Sequence, residues 1–164
     1  YPWGFTGEDL QQVPLSAKQV SPSKQGVSYT YYEGSYKKME DFPQEGKKVQ
    51  EGTQKNFSVK NAPSEDHFGY EFKSYIQIPE TEIYIFKLSS DDGAQLFIDG
   101  QLVVDNGKAH SSSNFAKGKI SLAKGYHELR IAYYENYMGE DLKVTIESRN
   151  MEEQSIPDEI LFIP

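Results

Sequence analysis

The sequence predicts an all-β fold of antiparallel strands, a sandwich or a barrel, and three observations carry that reading. Short apolar alternations of period two recur with turn signals between them. No segment shows the 3.6-residue period of an amphipathic helix, and aromatics are abundant, with 12 Tyr, 9 Phe and 1 Trp. No repeat at a fixed period is present, which argues against a propeller or a solenoid. At 164 residues the chain is long enough for one domain with a core of its own.

The elements follow in order. Residues 1–25 carry Pro2, Pro14 and Pro22 among Gln and Ser without sustained alternation, so they read as a linker or the tail of a preceding domain, and the domain proper is placed at 26–164. Val27, Tyr29 and Tyr31 alternate with Ser28, Thr30 and Tyr32 in a half-buried strand that Gly34 ends. Residues 37–66 are polar and broken by Pro43, Gly46, Gly52 and Pro63, which predicts an irregular excursion with one short strand at 57–59. Phe68, Tyr70, Phe72, Ile76 and Ile78 share one parity, interrupted by Ser74, and Pro79 stops them. Tyr84, Phe86 and Leu88 then face one side and Ile83 and Ile85 the other, a strand buried on both faces.

An acidic turn, Asp91-Asp92-Gly93, leads to the alternating Ala94, Leu96 and Ile98. Asp99-Gly100 is a two-residue hairpin signal of type I′, with 102–105 returning antiparallel. Residues 106–119, rich in Ser, Asn, Gly and Lys, read as a long exposed loop. Ile120 and Leu122 pass through Lys124-Gly125 into a strand with Leu129, Ile131 and Tyr133 on one face. After a polar loop at 136–141, Leu142, Val144 and Ile146 alternate, and the closing apolar run 160–163 is placed to pair with an early strand.

Composition narrows the function. There is no cysteine, hence no disulfide and no thiolate metal site. The 17 basic and 25 acidic residues give a net charge of −8, which argues against a nucleic-acid partner. No apolar run approaches bilayer length. The first residues contain neither an initiator Met nor a basic and apolar leader, so the sequence reads as a piece of a longer protein. No nucleophile elbow or glycine-rich phosphate loop is present and no carboxylate pair is singled out, so no catalytic residue is assigned.

Asp91 and Asp92 form the most informative pair. Consecutive side chains on a strand point to opposite faces, so these carboxylates converge only where the backbone turns sharply or the peptide between them is cis. Two readings stand. The pair satisfies turn amides by local hydrogen bonds, or it holds calcium, which takes six to eight oxygen ligands of mixed kind. His67, His110 and His127 show no metal-ligand spacing. His127 lies within a strand and reads as structural, His110 lies in the polar loop as a surface residue or a ligand contact, and Tyr134 and Tyr137 are placed to stack on a sugar.

Several spaced blocks together carry a resemblance: 26–34 (GVSYTYYEG), Asp41-Phe42, 89–105 (SSDDGAQLFIDGQLVVD), 124–135 (KGYHELRIAYYE) and 142–146, followed by Ile156-Pro157. In this order they resemble the PA-14 domain. The resemblance implies a β-sandwich of jelly-roll-like topology, used as an accessory module of bacterial glycoside hydrolases or as the ligand-binding head of yeast adhesins. The blocks are most similar to copies attached to β-hexosaminidase-like and β-glucosidase-like enzymes. In the adhesin branch two consecutive aspartates hold calcium, which contacts sugar hydroxyls, and Asp91 and Asp92 match that pair.

A later-loop ligand falls nearest Glu135 and Asn136, where the match is loose. The implied metal set is therefore Asp91, Asp92, Glu135 and Asn136, and the implied sugar contacts are Asp91, Asp92, His110, Asn136 and Tyr137. The module is expected to act as a non-catalytic monomer outside the cytoplasm: extracellular, on the cell surface or in the periplasm. Its expected partner is a glycan or the catalytic domain of its parent chain.

Overall fold

A computed structural model describes residues 13–34, 47–59, 67–91, 93–106, 115–135 and 141–164, and of Lys47, Asp91, Glu135 and Asp141 the backbone only. The described strands are β1 (Val27–Glu33), β2 (Lys47–Gln54), β3 (Phe68–Ile78), β4 (Glu82–Asp91), β5 (Gly93–Ile98), β6 (Gln101–Asn106), β7 (Phe115–Leu122), β8 (Gly125–Glu135), β9 (Asp141–Ser148), β10 (Met151–Ser155) and β11 (Leu161–Phe162). They form two antiparallel sheets. One runs β2-β1-β3-β8-β5-β6, with β11 also on β3, and the other runs β10-β9-β4-β7. No helix among the described residues is long and apolar enough to cross a membrane.

The period-two rows meet between the sheets. Phe68, Tyr70, Phe72, Ile76 and Ile78 from β3 and Leu129, Ile131 and Tyr133 from β8 are buried against Tyr84, Phe86 and Leu88 of β4 and Val144 and Ile146 of β9. Aromatic rings fill one end of this layer. Tyr31 lies 5.2 Å from Tyr70 and 5.7 Å from Phe68, and Tyr70 stacks on Phe72 at 5.0 Å, contacts worth about 1 kcal/mol each beyond area. Burial pushes the Tyr84 phenol up to about 12, and its hydroxyl donates to the Glu80 carbonyl at 2.6 Å.

Ser74, the polar member of the β3 row, sits where β1 gives way to β11 along one edge of β3. Its hydroxyl lies 3.1 Å from the carbonyls of both Gly26 and Phe162, at the junction of the first and last strands. The closing segment thus pairs with an early strand, as the sequence predicts.

Three expectations are corrected. The short strand at 57–59 is absent: these residues are extended chain outside the sheets, with Phe57 and Val59 turned into the core. The strand of that region is β2 instead, an edge strand whose sequence KKVQEGTQ carries no apolar alternation. β7 begins at Phe115, inside the expected loop, because inward Gly118 breaks the apolar row. At the acidic turn the chain changes sheets, since β4 and β5 lie in different sheets.

Residues 13–25 make backbone contacts with the sheets. Leu15 exchanges backbone hydrogen bonds with Ser121 and Ala123, the Lys18 N–H donates to Tyr126, and Gln25 bridges Phe162, so the packed unit includes them. The exposed backbone groups at the ends of β7 and β8 accept these partners, which a proline-rich segment without alternation can still supply.

The Asp99-Gly100 hairpin forms as expected, with φ of +49° and +82°. A Cβ on Gly100 would meet nothing within 4 Å. Gly100→Ala is therefore expected to lose about 1 kcal/mol, from the left-handed backbone alone. Urea unfolding of the two proteins checks this.

Candidate functional site

Strand register sets what can meet at the acidic turn. Asp91, the last residue of β4, pairs with Asp141 at the start of β9, while Gly93, the first of β5, pairs with Tyr134 near the end of β8. A single residue, position 92, therefore carries the chain from one sheet to the other. Glu135 pairs with Phe68 one step beyond Tyr134, so the backbones of Asp91, Gly93, Glu135 and Asp141 share one pole of the sandwich. The ends of β1, β6 and β7 that flank the polar segments lie at the same pole, since Glu33 pairs with Phe68, Asn106 with Ala94 and Phe115 with Ser89.

Asp92, His110, Asn136 and Tyr137 lie outside the described residues, as do the side chains of Asp91 and Glu135. The fold brings the backbone positions of Asp91 and Glu135 to one pole, where the described residues flanking the other candidates also lie. No group of three His, Asp or Glu among the described residues is placed to hold a metal.

Beneath the turn lies a support that sequence reasoning missed. The Asn106 amide, from the end of β6, donates across the sandwich to the Leu88 carbonyl at 3.2 Å and lies 3.5 Å from the hydroxyl of buried Ser90. It ties the last turn-side residues of β4 to the other sheet. An asparagine at a strand end opening a polar loop gives no signal of this reach in the sequence.

Tyr134 is corrected as a sugar-stacking candidate. It is fully buried, in a small cluster with Ala132 and Tyr32 apart from the main core, and offers no ring face to a ligand.

The opposite pole holds a buried charge pair. His127 is structural, as expected: its Nδ1 lies 2.7 Å from Asp99 Oδ2 and its Nε2 2.8 Å from the Ala123 carbonyl oxygen. Both neighbours are acceptors, so the site favours the doubly protonated ring, in which both nitrogens donate. Burial pulls the His127 pKa down, but the bonds to Asp99 and Ala123 outweigh it and hold the value above 6.5. Burial likewise pulls Asp99 up, and the bonds from His127 and from the Glu128 N–H, at 2.8 Å, bring it below 3.8. This pair pins the β5–β6 hairpin to β8 and is remote from the acidic turn.

The profile of the PA14 domain matches residues 23–159. A curated relative, the anti-sigma-I factor RsgI3 of Acetivibrio thermocellus, is 23% identical over 97 residues, covering 59% of this chain and 15% of its own. Among solved structures, an anti-sigma factor domain-containing protein from Clostridium clariflavum superposes with a TM-score of 0.71 at 20% identity, over 85% of this chain and 47% of that one. A PA14 sugar-binding domain from an RTX adhesin superposes with a TM-score of 0.69 at 14% identity, over 87% of this chain and all of that one. The chain thus spans a small part of the curated relative and about half of the first of these structures.

Proposed function

The chain belongs to the PA14 domain family, and from that premise we propose that it is a non-catalytic carbohydrate-binding module of a larger extracytoplasmic protein, with its glycan site at the acidic-turn pole. One observation carries the reading: two consecutive aspartates fall at the single-residue crossing between the sheets, at the pole that Glu135 also reaches. A backbone that changes sheets there turns sharply, the condition under which adjacent carboxylates converge on one cation. Asp91, Asp92, Glu135 and Asn136 supply the oxygens for calcium, and His110, Asn136 and Tyr137 join the aspartates in contacting sugar hydroxyls. Likeness to a PA14 sugar-binding domain supports the same assignment.

The parent is a glycoside hydrolase of β-hexosaminidase-like or β-glucosidase-like type in the reading of the sequence blocks, and the likeness to anti-sigma factors favours a regulatory parent. A glycan module serves either, by holding an enzyme on its substrate or by reporting a polysaccharide to a regulator. The place is extracellular, on the cell surface or in the periplasm.

Calcium titration by calorimetry, followed by a glycan array with and without chelator, tests the reading. One calcium is expected per chain, and at ten times its dissociation constant it should stabilise the fold by about 1.4 kcal/mol. Asp92→Asn should abolish uptake and every glycan signal that depends on it. A protein that takes up no calcium and lights no glycan on the array leaves the second reading, a module that docks on its parent's catalytic domain and shapes the substrate entrance. Deleting it would then change the parent's activity on extended substrates.

A further inference from the structure

Residues 13–18 lie across the turn between β7 and β8, at the pole opposite the acidic turn. The Leu15 N–H donates to the Ser121 carbonyl at 2.9 Å, the Leu15 carbonyl accepts from the Ala123 N–H at 2.9 Å, and the Lys18 N–H donates to the Tyr126 carbonyl at 2.8 Å. Leu15 also rests on the core, and Gly125 lets the segment close in, since a Cβ there would stand 2.6 Å from that of Ala17. A few backbone bonds and one partly buried apolar side chain thus hold the segment, the makeup of an element that opens before the fold does.

Its anchor rests on a buried titratable ring. Ala123, whose N–H holds Leu15, gives its carbonyl to His127 Nε2 at 2.8 Å, and Tyr126, which holds Lys18, immediately precedes His127. The ring is fully buried, with Nδ1 2.7 Å from Asp99 Oδ2. A hydrogen bond to a carboxylate is about twice as strong as one to a neutral carbonyl, so a ring left with one proton keeps it toward Asp99 and surrenders the one toward Ala123. An Nε2 lone pair then faces the Ala123 oxygen inside the protein, and the turn shifts to relieve it. Two charges reach the ring from other elements. Asp99, on the β5–β6 turn, favours its proton and Lys18, on the segment itself, opposes it, while its partner on β3 is the apolar Ile76.

We propose that the Nε2 proton of His127 latches residues 13–18 onto the β7–β8 turn, and that the segment comes away from the sheets when the ring becomes neutral. The folded-state pKa of His127 lies above 6.5, so the latch is closed below pH 6.5 and opens as pH rises through that value. The Lys18 ammonium, brought near the ring by docking, works against the latch, but Lys18 is exposed and its charge is screened, whereas the Nε2 bond is buried. The acidic turn, at the other end of β8, is left in place, so the device changes how the N-terminal segment is held and not the candidate calcium site.

The chain has no cysteine, so one nitroxide label on Ser16→Cys, an exposed position of the segment, reports its motion in the whole protein. Its spectrum is followed from about pH 5.5 to 9.5 while the His127 ring is titrated by NMR, the His127→Gln variant assigning the ring signal. The mobile component of the Ser16 label should grow about threefold or more as pH rises, with the midpoint of the ring's own titration. A label on Thr53→Cys, exposed on β2, should keep its spectrum throughout, and adding His127→Gln to Ser16→Cys should remove the pH dependence. The two labels in otherwise wild-type protein decide the matter even if His127→Gln does not fold. A Ser16 label that ignores pH while the ring titrates, a ring that keeps its charge through pH 9.5, or both labels loosening together overturns the proposal.

Discussion

Asp99→Ala is expected to destabilise the protein by about 3 kcal/mol near pH 6, because it leaves the fully buried His127 imidazolium without its counter-charge. His127 has acceptors at both nitrogens, so the neutral ring cannot satisfy the site: whichever nitrogen loses its proton turns a lone pair toward Asp99 or the Ala123 carbonyl. The dependence on pH follows from the directions of the two shifts. His127 is raised above 6.5, so its contribution is fully present below pH 6.5 and is lost as pH rises through the folded-state value. Asp99 is lowered below 3.8, so its contribution is present above pH 3.8 and is lost as pH falls through its own folded-state value. The difference in stability between wild type and Asp99→Ala is therefore widest between about pH 4 and 6.5 and narrows in alkali.

The groups facing the pair set its limits. Lys18, from the strapping N-terminal segment, opposes the proton on His127 and favours the Asp99 carboxylate, and the Glu128 N–H holds the second carboxylate oxygen. Urea unfolding of wild type, Asp99→Ala and His127→Gln at pH 5.5, 7 and 8.5 measures the effect. A difference that stays the same across these values would mean that the bond contributes as a neutral contact.

How much of this the sequence discloses depends on which faces are wet. β1, β3, β5, β8 and β9 have one buried and one solvated face, so Val27 and Tyr31 or Leu129, Ile131 and Tyr133 announce themselves by parity. At the edges that contrast fails. β2 contributes Val49 as its sole large apolar side chain, and that one is 47% exposed; its place in the sheet comes from backbone bonds to β1. Tyr134 breaks the rule in the other direction, sitting opposite the core in parity yet fully buried with Tyr32.

The candidate site is legible as composition and not as arrangement. Two consecutive aspartates and a glycine mark a turn, but a hairpin and a sheet-to-sheet crossing leave the same parity on either side, so the change of sheet at position 92 is invisible in the pattern. Likewise the inward parity of His127 could be read from Leu129 and Ile131, whereas its partner Asp99 sits 28 residues earlier in a turn whose own signal, Asp-Gly, already had an explanation. A residue that satisfies a local rule conceals any long-range role it also plays.

Gly118 presents the same concealment with the second large effect. It occupies an inward position of β7 between Ala116 and Ile120, where the alternation calls for an apolar side chain, and its absence hid the start of the strand. The structure gives the reason. A Cβ at this position would stand 1.9 Å from the carbonyl oxygen of Val103 and 2.8 Å from its carbonyl carbon, both backbone atoms of β6 in the opposite sheet. Here the two sheets approach edge to edge, and the glycine is what allows it. Relief requires moving a strand, since no flexible side chain can yield, so Gly118→Ala is expected to cost about 3 kcal/mol and Gly118→Val more, against about 1 kcal/mol for Gly100→Ala, where the backbone is left-handed and the space is empty. Denaturant unfolding of the three variants ranks them. If Gly118→Ala proves no worse than Gly100→Ala, the edges of β6 and β7 have room to part, and the closure of the sandwich on that side does not rest on this contact.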